Sequence, residues 1–229
     1  MKIVSLNAGV PRTVLYKGRY VKTAIFKEPV AGPARVRRHN LDGDAQADLN
    51  VHGGATKAVY AYPSEHYGFW KSELPGMDLP WGMFGENLTL EGLLEQDVRV
   101  GDRFRVGSAI LRVTEPRVPC AKLALRFDRE DMPKRFLRSG RTGFYFAVDE
   151  EGDLCAGDAI EAVSRDPGAV SIPDLVELYR SKDPDQDLLR RAVETPGLSG
   201  VWLSGLRRRL EALGSGSGEQ RGGHNDPGA

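Results

Sequence analysis

The sequence predicts a mainly β protein: a barrel-like β domain over residues 1–163 with a few short helices, a small three-helix domain over 164–213, and a disordered tail over 214–229. Three observations lead there. Up to residue 163 the chain is broken into short runs rich in Val, Ile, Phe and Tyr, separated by frequent Gly, Pro, Asn and Asp. At Ser164 the composition changes, and apolar residues then fall at helical spacing. From Gly214 the chain is Gly/Ser-rich and polar, too poor in apolar residues to build a core.

In chain order, residues 2–6 and 20–26 read as strands, the second with alternating sides. Gly32-Pro33 breaks the extended run 30–36, and residues 40–44 form a turn cluster. The run 48–57, with Gly53-Gly54 flanked by His52 and Lys57, reads as a glycine loop before a strand at 58–62. A helix follows over 63–74, with Tyr67, Trp70 and Leu74 on one face and Pro75-Gly76 as its stop. Residues 81–90 form a glycine-bent turn leading into a strand, and 98–102, 104–106 and 109–114 read as strands with hairpin-like pairing. The recurring Gly101-Asp102 and Gly157-Asp158 suggest tight turns at a barrel rim. Short helices are expected over 121–127 and 132–138, the latter capped by Asp131 and stopped by Gly140. Strands at 143–148 and 159–163 close the β region. The three later helices are expected over 171–180, 185–194 and 199–213.

Composition excludes several classes. With 229 residues, 40% hydrophobic and 28% charged, the chain is an ordinary globular one able to bury a sizeable core. Its 32 basic and 32 acidic residues balance, so no global charge draws it to nucleic acid or an anionic membrane. No apolar run is long enough to cross a bilayer and the N-terminus reads as a strand, so a cytoplasmic location is expected. Two cysteines, Cys120 and Cys155, with no CxxC partner, are too few for a disulfide framework; Cys155 reads as structural.

Cys120 is the residue with chemistry to explain. Pro116 and Pro119 hold the residues before them extended and present Cys120 at a defined place, and Arg117 and Lys122 are near enough in sequence to favour a thiolate. From Arg112 to Arg141 nine bases face four acids. That run is either a solvated helix surface or one wall of a pocket for a small anion such as phosphate. Cys120 itself is either an oriented thiol or a small buried hydrophobe. His52 and the adjacent Glu86 and Asn87 are further candidates, although neighbours in an extended segment point to opposite faces.

The run Glu115-Pro116-Arg117-Val118-Pro119-Cys120, with Gly85-Glu86-Asn87-Leu88-Thr89 and His52-Gly53-Gly54 upstream, resembles the MOSC-domain family in its YiiM-like branch. The resemblance covers roughly residues 2–163, and the helices that follow are similar to the small α domain of that branch. It implies a MOSC β-barrel-like domain binding the molybdenum cofactor, a molybdenum–pterin, with Cys120 as the metal ligand. It also implies reduction of N-hydroxylated compounds, including base analogues such as 6-N-hydroxylaminopurine. Thiolate is a soft ligand suited to a transition metal. The pterin ends in a phosphate, for which Arg117, Lys57 and then Arg141 are the expected partners, with Lys122 and Tyr145 also at the cofactor. Asn87, Glu86, His52 and Tyr145 are expected to orient the centre and supply protons. No flavin or iron–sulfur motif is visible, so electrons are expected from a separate flavoprotein. A homodimer is expected, and pyridoxal phosphate binding is a further association open to the family.

Three other readings of the residues stand beside this one. Cys120 could hold and pass on the cofactor or a sulfur atom, as a carrier or sulfur-transfer module. It could be the nucleophile of a hydrolase with His52 as base, which requires a side-chain separation of about 3 Å. Or the barrel could be structural, with the helical tail serving interaction.

Overall fold

The computed structural model describes residues 1–47 and 54–216, and the sheet-dominated fold with short helices is as expected. Eight strands form one mixed sheet. In chain order its members are β1 (Lys2–Ala8), β4 (Glu28–Pro29), β6 (Val59–Pro63), β7 (Leu88–Glu91), β8 (Arg103–Val106), β9 (Ala109–Pro116), β10 (Phe144–Glu150) and β12 (Ile160–Ser164). Their spatial order is β12-β8-β9-β10-β6-β7-β1-β4. Every pair is antiparallel except β6 and β7, whose parallel pairing needs a crossover; helix α1 (Glu65–Glu73) and the glycine-bent turn supply it. The sheet curls until its β12 edge meets β1, one strand in from the β4 edge: Ile3 N–H donates to the Asp158 carbonyl (2.9 Å) and Ile160 N–H to that of Met1 (3.0 Å). This seam is a short bridge at Lys2 and Ala159, so the body is barrel-like and joined by a few bonds at its edge.

Two small ladders complete the β structure: the hairpin β2 (Arg12–Tyr16) and β3 (Arg19–Thr23), and β5 (Ala34–Val36) with β11 (Gly152–Leu154). The hairpin departs from the expected strand at 20–26, because the chain turns at Lys17-Gly18, both with positive φ. Such a two-residue turn matches the twist of its flanking strands. Residues 98–102 form a turn region, with Gly101 at φ +91°.

Three apolar clusters divide the interior. The first fills the barrel, with Phe104, Phe144 and Phe146 among Val, Leu and Ile. The second is aromatic and lies under α1, α2 (Ala121–Phe127) and α3 (Met132–Ser139). It stacks Tyr62 on Phe84 (ring centroids 4.4 Å apart) and buries Trp70, whose indole N–H donates to Tyr62 Oη (2.7 Å). Tyr67, Trp70 and Leu74 thus form the buried face that helical spacing predicts.

The third cluster belongs to α4 (Ile172–Arg180), α5 (Gln186–Glu194) and α6 (Gly200–Gly216). Ser171 caps α4 in a reciprocal capping box with Asp174, and Asp185 Oδ1 caps α5 by accepting from Leu188 N–H (2.8 Å). Val100 of the β region belongs to this cluster, so the bundle is docked on the barrel. The last helix runs on to Gly216, past the expected start of the tail at Gly214. Residues 217–229 lie outside the described residues.

Candidate functional site at Cys120

Strand β9 ends at Pro116, and the extended segment 117–120 carries the chain to α2 with Cys120 as its N-terminal cap residue. Glu115, before Pro116, lies in the extended strand β9 as the sequence predicts, and Cys120 is itself extended (φ −122°, ψ 175°) and partly exposed. Neither cysteine is in a disulfide. Cys155 lies in a tight turn with Asp158, whose Oδ2 accepts its N–H (2.7 Å).

Cys120 lines two cavities at once, and Lys57 and Tyr145 line both with it. The larger, about 800 Å³, lies between the end of β9, with Glu115 in its wall, and residues of α4 and α6 such as Tyr179 and Trp202. The smaller, about 90 Å³, runs towards Lys27, Asp44 and Asn87, with Lys122 on its wall.

The small cavity is built on a buried polar network. Asp44 Oδ1 accepts from Gly9 N–H (2.9 Å) and from the Lys27 ammonium, and its Oδ2 accepts from Asn87 Nδ2 (3.0 Å). Asn87 Oδ1 accepts from Tyr60 N–H (3.1 Å), so the Asn87 amide is held from both ends. Burial pushes the Lys27 ammonium pKa down, and Asp44 works against that fall. Lys27 and Asp44 are absent from the sequence-derived candidates; Asp44 falls in the turn cluster 40–44, and nothing local couples it to Lys27.

Glu86 faces elsewhere, as the strand alternation allows. It is fully buried inside its own turn, where Oε1 accepts from Tyr67 Oη (2.5 Å), Gly82 N–H (2.8 Å) and Thr89 Oγ1 (3.0 Å), and Oε2 accepts from Phe84 N–H (3.1 Å). Burial raises its pKa, while these donors oppose the rise. The carboxyl clamps the turn before β7 and lines neither cavity. Gly82 is required there: at φ +83°, an added Cβ would sit 2.7 Å from the Lys27 carbonyl.

Arg117 is 7% exposed and lies behind the cavity wall. Its guanidinium packs over Tyr60 (4.7 Å to the ring centroid) and Phe136 (5.7 Å) and donates to the Phe84 carbonyl. Burial opposes its charge, but Tyr60, Tyr145 and Cys120 around it outweigh that and raise its pKa. Tyr145 is itself pushed up to about 12, by burial first, with Arg117 opposing. Its phenol is therefore protonated at neutral pH.

Glu115, only 1% exposed, pairs with Lys57 (Nζ to Oε1 3.3 Å). Its Oε2 makes no hydrogen bond of ordinary geometry among the described residues. Burial raises its pKa, against the opposing influence of Ser199 and Lys57. Glu115, too, was not among the expected site residues, although it stands in the same motif as Cys120.

The basic run disperses in three dimensions. Arg112 pairs with Asp149, Arg129 with Asp131, and Arg135 with Glu73. Arg141 stacks over Phe69 (3.9 Å) and donates to the Ser139 carbonyl, lining neither cavity. The large cavity draws its other cations, Arg208 and Arg209, from α6. His52 lies outside the described residues, and so does any geometry for a Cys120–His52 pair.

The donor set fits a metal that arrives with ligands of its own. Cys120 offers one sulfur, and the described residues hold no group of three or more His, Cys, Asp or Glu that could cage an ion. The cavity beside it is large enough for a pterin and has cations on its wall. No helix among the described residues is long and apolar enough to cross a membrane.

The model of the MOSC domain matches residues 48–161, which include Cys120. YflK of Bacillus subtilis is 38% identical over 211 residues, covering 92% of this chain and 95% of that protein. YiiM of Escherichia coli is 35% identical over 189 residues, covering 82% and 84%. A protein of Gibberella moniliformis named a reductase is 32% identical over 198 residues, which is 85% of this chain and 35% of that longer one. Among solved structures, YiiM from Geobacillus stearothermophilus superposes with a TM-score of 0.77 at 37% identity, over 91% of this chain and 98% of that one. With a buried guanidinium behind a cavity-lining cysteine and full-length relatives of this similarity, the chain belongs to the MOSC-domain family, among its YiiM-like proteins.

Proposed function

We propose that the protein is a molybdenum-cofactor-dependent reductase that converts N-hydroxylated compounds to amines: R–NHOH plus two electrons and two protons gives R–NH₂ and water. The observation that carries the reading is the placement of Cys120 where both cavities meet, with Lys57 and Tyr145 common to the two walls. A relative named a reductase supports the reaction class.

When bound, the cofactor supplies the two electrons that cleavage of the N–O bond consumes. The chain's residues do the rest. Cys120 would hold the metal through its sulfur, with the buried Arg117 guanidinium behind it as a nearby positive charge. Lys57 puts a cation beside both cavities, where it can meet a phosphate or polarise the departing hydroxyl. Tyr145, protonated at neutral pH, offers an O–H to the substrate oxygen, and Glu115 is the carboxyl in the wall that can store a proton. Asn87, locked by Tyr60 and Asp44, orients the smaller cavity. Electrons come from a separate flavoprotein.

The test is turnover. Protein from a host that makes the cofactor, given a reduced viologen dye and 6-N-hydroxylaminopurine, is expected to form adenine, and Cys120→Ala to form none above background. Cofactor-loaded wild type that forms no amine would replace this reading with a carrier that holds the cofactor for transfer.

A further inference from the structure

The first 27 residues carry six bases and no acid, in a chain of zero net charge. Four of the six, Arg12, Lys17, Arg19 and Lys22, stand on the β2–β3 hairpin. Glu130 answers Lys17, while Arg12, Arg19 and Lys22 form no ion pair among the described residues. The two strands pair with each other alone, Leu15 directly opposite Tyr20 and Thr13 opposite Lys22. Strand alternation puts these four side chains on one face, and all are exposed, Leu15 at 64% and Tyr20 at 80%. A leucine and a tyrosine side by side in solvent, rimmed by cations, have the composition of an interface.

At the base of the hairpin two guanidinium groups crowd one ring. Arg12 lies over Phe26 (3.7 Å to the ring centroid) and Arg126 of α2 over the same ring (4.9 Å). Arg126 Nε is buried and makes no hydrogen bond among the described residues. Burial first and Arg12 second lower the Arg126 pKa, against Glu86, Tyr67 and Glu28. Two like charges held together, one with an open donor, are a receptor for a carboxylate from outside.

Strand β3 runs directly into the site. Thr23, Ala24 and Ile25 line the small cavity together with Cys120 and Lys122. At about 3.4 Å per residue, Tyr20 stands about 10 Å along the strand from Thr23, so a protein seated on the hairpin is a neighbour of that cavity. The reduction proposed above consumes two electrons and two protons, and a fully reduced flavin releases two of each as it is oxidised.

We propose that the β2–β3 hairpin, with Arg126 at its base, is the docking surface for an acidic flavoprotein that delivers electrons on the small-cavity side of Cys120. Leu15 and Tyr20 form the apolar centre of the contact, and Arg12, Arg19, Lys22 and Arg126 meet carboxylates around it. The proposal rests on the reductase reading and adds where the electron donor binds.

Oxidised flavodoxin, a small acidic flavoprotein, is the probe, and calorimetric titration of the full chain reads its affinity without turnover. Arg19→Glu with Lys22→Glu reverses two exposed charges that hold no ion pair among the described residues, so the fold is retained and checked by circular dichroism. At low salt its Kd for flavodoxin is expected to rise about tenfold or more, and in about 0.5 M salt the difference from wild type is expected to shrink to about twofold. Tyr20→Ser leaves the charge alone and is expected to raise the Kd about fivefold or more at either salt. Lys182→Glu with Arg191→Glu makes the same charge change at exposed positions of the helical domain and is expected to stay within about twofold of wild type. In turnover of 6-N-hydroxylaminopurine, reduced methyl viologen is expected to serve the hairpin variant as well as wild type, and reduced flavodoxin to serve it about tenfold worse. The proposal is overturned if wild type does not bind flavodoxin at about 0.1 mM, the weak end of transient redox contacts. It is equally overturned if the hairpin reversal leaves the Kd within about twofold of wild type, or if the reversal on the helices weakens binding as much. A wild type that elutes as a dimer, turned to a monomer by the hairpin substitutions, would give the face to a second copy and also overturn it. Viologen-driven turnover without flavodoxin binding would remove this proposal and keep the reductase reading; binding that responds as expected in a protein that reduces nothing would do the reverse.

Discussion

Replacing Asp44 by Asn strikes the buried network beside Cys120 at the carboxylate that pairs with Lys27. Asp44 Oδ1 receives Gly9 N–H and the Lys27 ammonium, and Oδ2 receives Asn87 Nδ2. With an amide in its place, an NH₂ group must face either those donors or Asn87, donor against donor. Lys27 also loses its counter-charge in a site where its side chain is 9% exposed. Removing one partner of a buried pair costs about 3–5 kcal/mol. At roughly 2–4 °C per kcal/mol for a chain of this size, Tm should fall by about 6–20 °C. Urea unfolding gives the free energy and calorimetry the Tm.

The pH dependence has a definite sign. Burial already lowers the Lys27 pKa, and losing Asp44 lowers it further, so the unfolded state binds more protons than the folded one below the unfolded lysine value. The variant's deficit should therefore shrink as pH rises from 7 towards 10. Lys27→Met in the Asp44→Asn background should recover part of the loss, a coupling of about 1–3 kcal/mol. A variant within about 1 kcal/mol of wild type at pH 7, with no coupling to Lys27, would refute the account of this network.

Other perturbations follow from the same geometry. Arg117→Lys keeps the charge but loses the flat guanidinium between Tyr60 and Phe136, and urea unfolding should show a loss of about 2 kcal/mol or more. Gly143→Ala forces a Cβ to 2.3 Å from the Ala61 carbonyl at φ +60°, which should cost about 2–5 kcal/mol in the same assay. Glu115, with a raised pKa, contributes stability that is present below the unfolded carboxyl value and lost as pH rises through the folded one. Relative to wild type, Glu115→Gln should therefore be favoured more at pH 7 than at pH 4, and a stability difference independent of pH would contradict this.

The sequence carries the local elements well and the meeting of distant walls poorly. Helix α2 occupies the expected residues 121–127, and the capping residues Ser171 and Asp185 start α4 and α5 where their chemistry places them. The prolines around Cys120 could be read because they act on adjacent backbone. Lys27 and Asp44 could not be paired, because a turn residue and a strand-exit lysine become partners only once β1 and the turn before β7 bring them together. Arg141 shows the reverse case: it stands in a basic run in sequence, yet the fold turns it onto Phe69. The helical region reads from its apolar stripe as a satellite, and the stripe does form a core of its own. What the stripe does not reveal is that its α6 members Val201, Trp202 and Leu206 also wall the cavity at Cys120.

Molybdenum bound per protein chain, measured by elemental analysis on wild type and Cys120→Ala from a cofactor-producing host, tests the central claim most directly. Wild type should carry the metal with its pterin in proportion to protein, and Cys120→Ala should carry neither while unfolding cooperatively at a similar temperature. Wild type without molybdenum, or a variant that retains it fully, would contradict the assignment of Cys120 as the ligand.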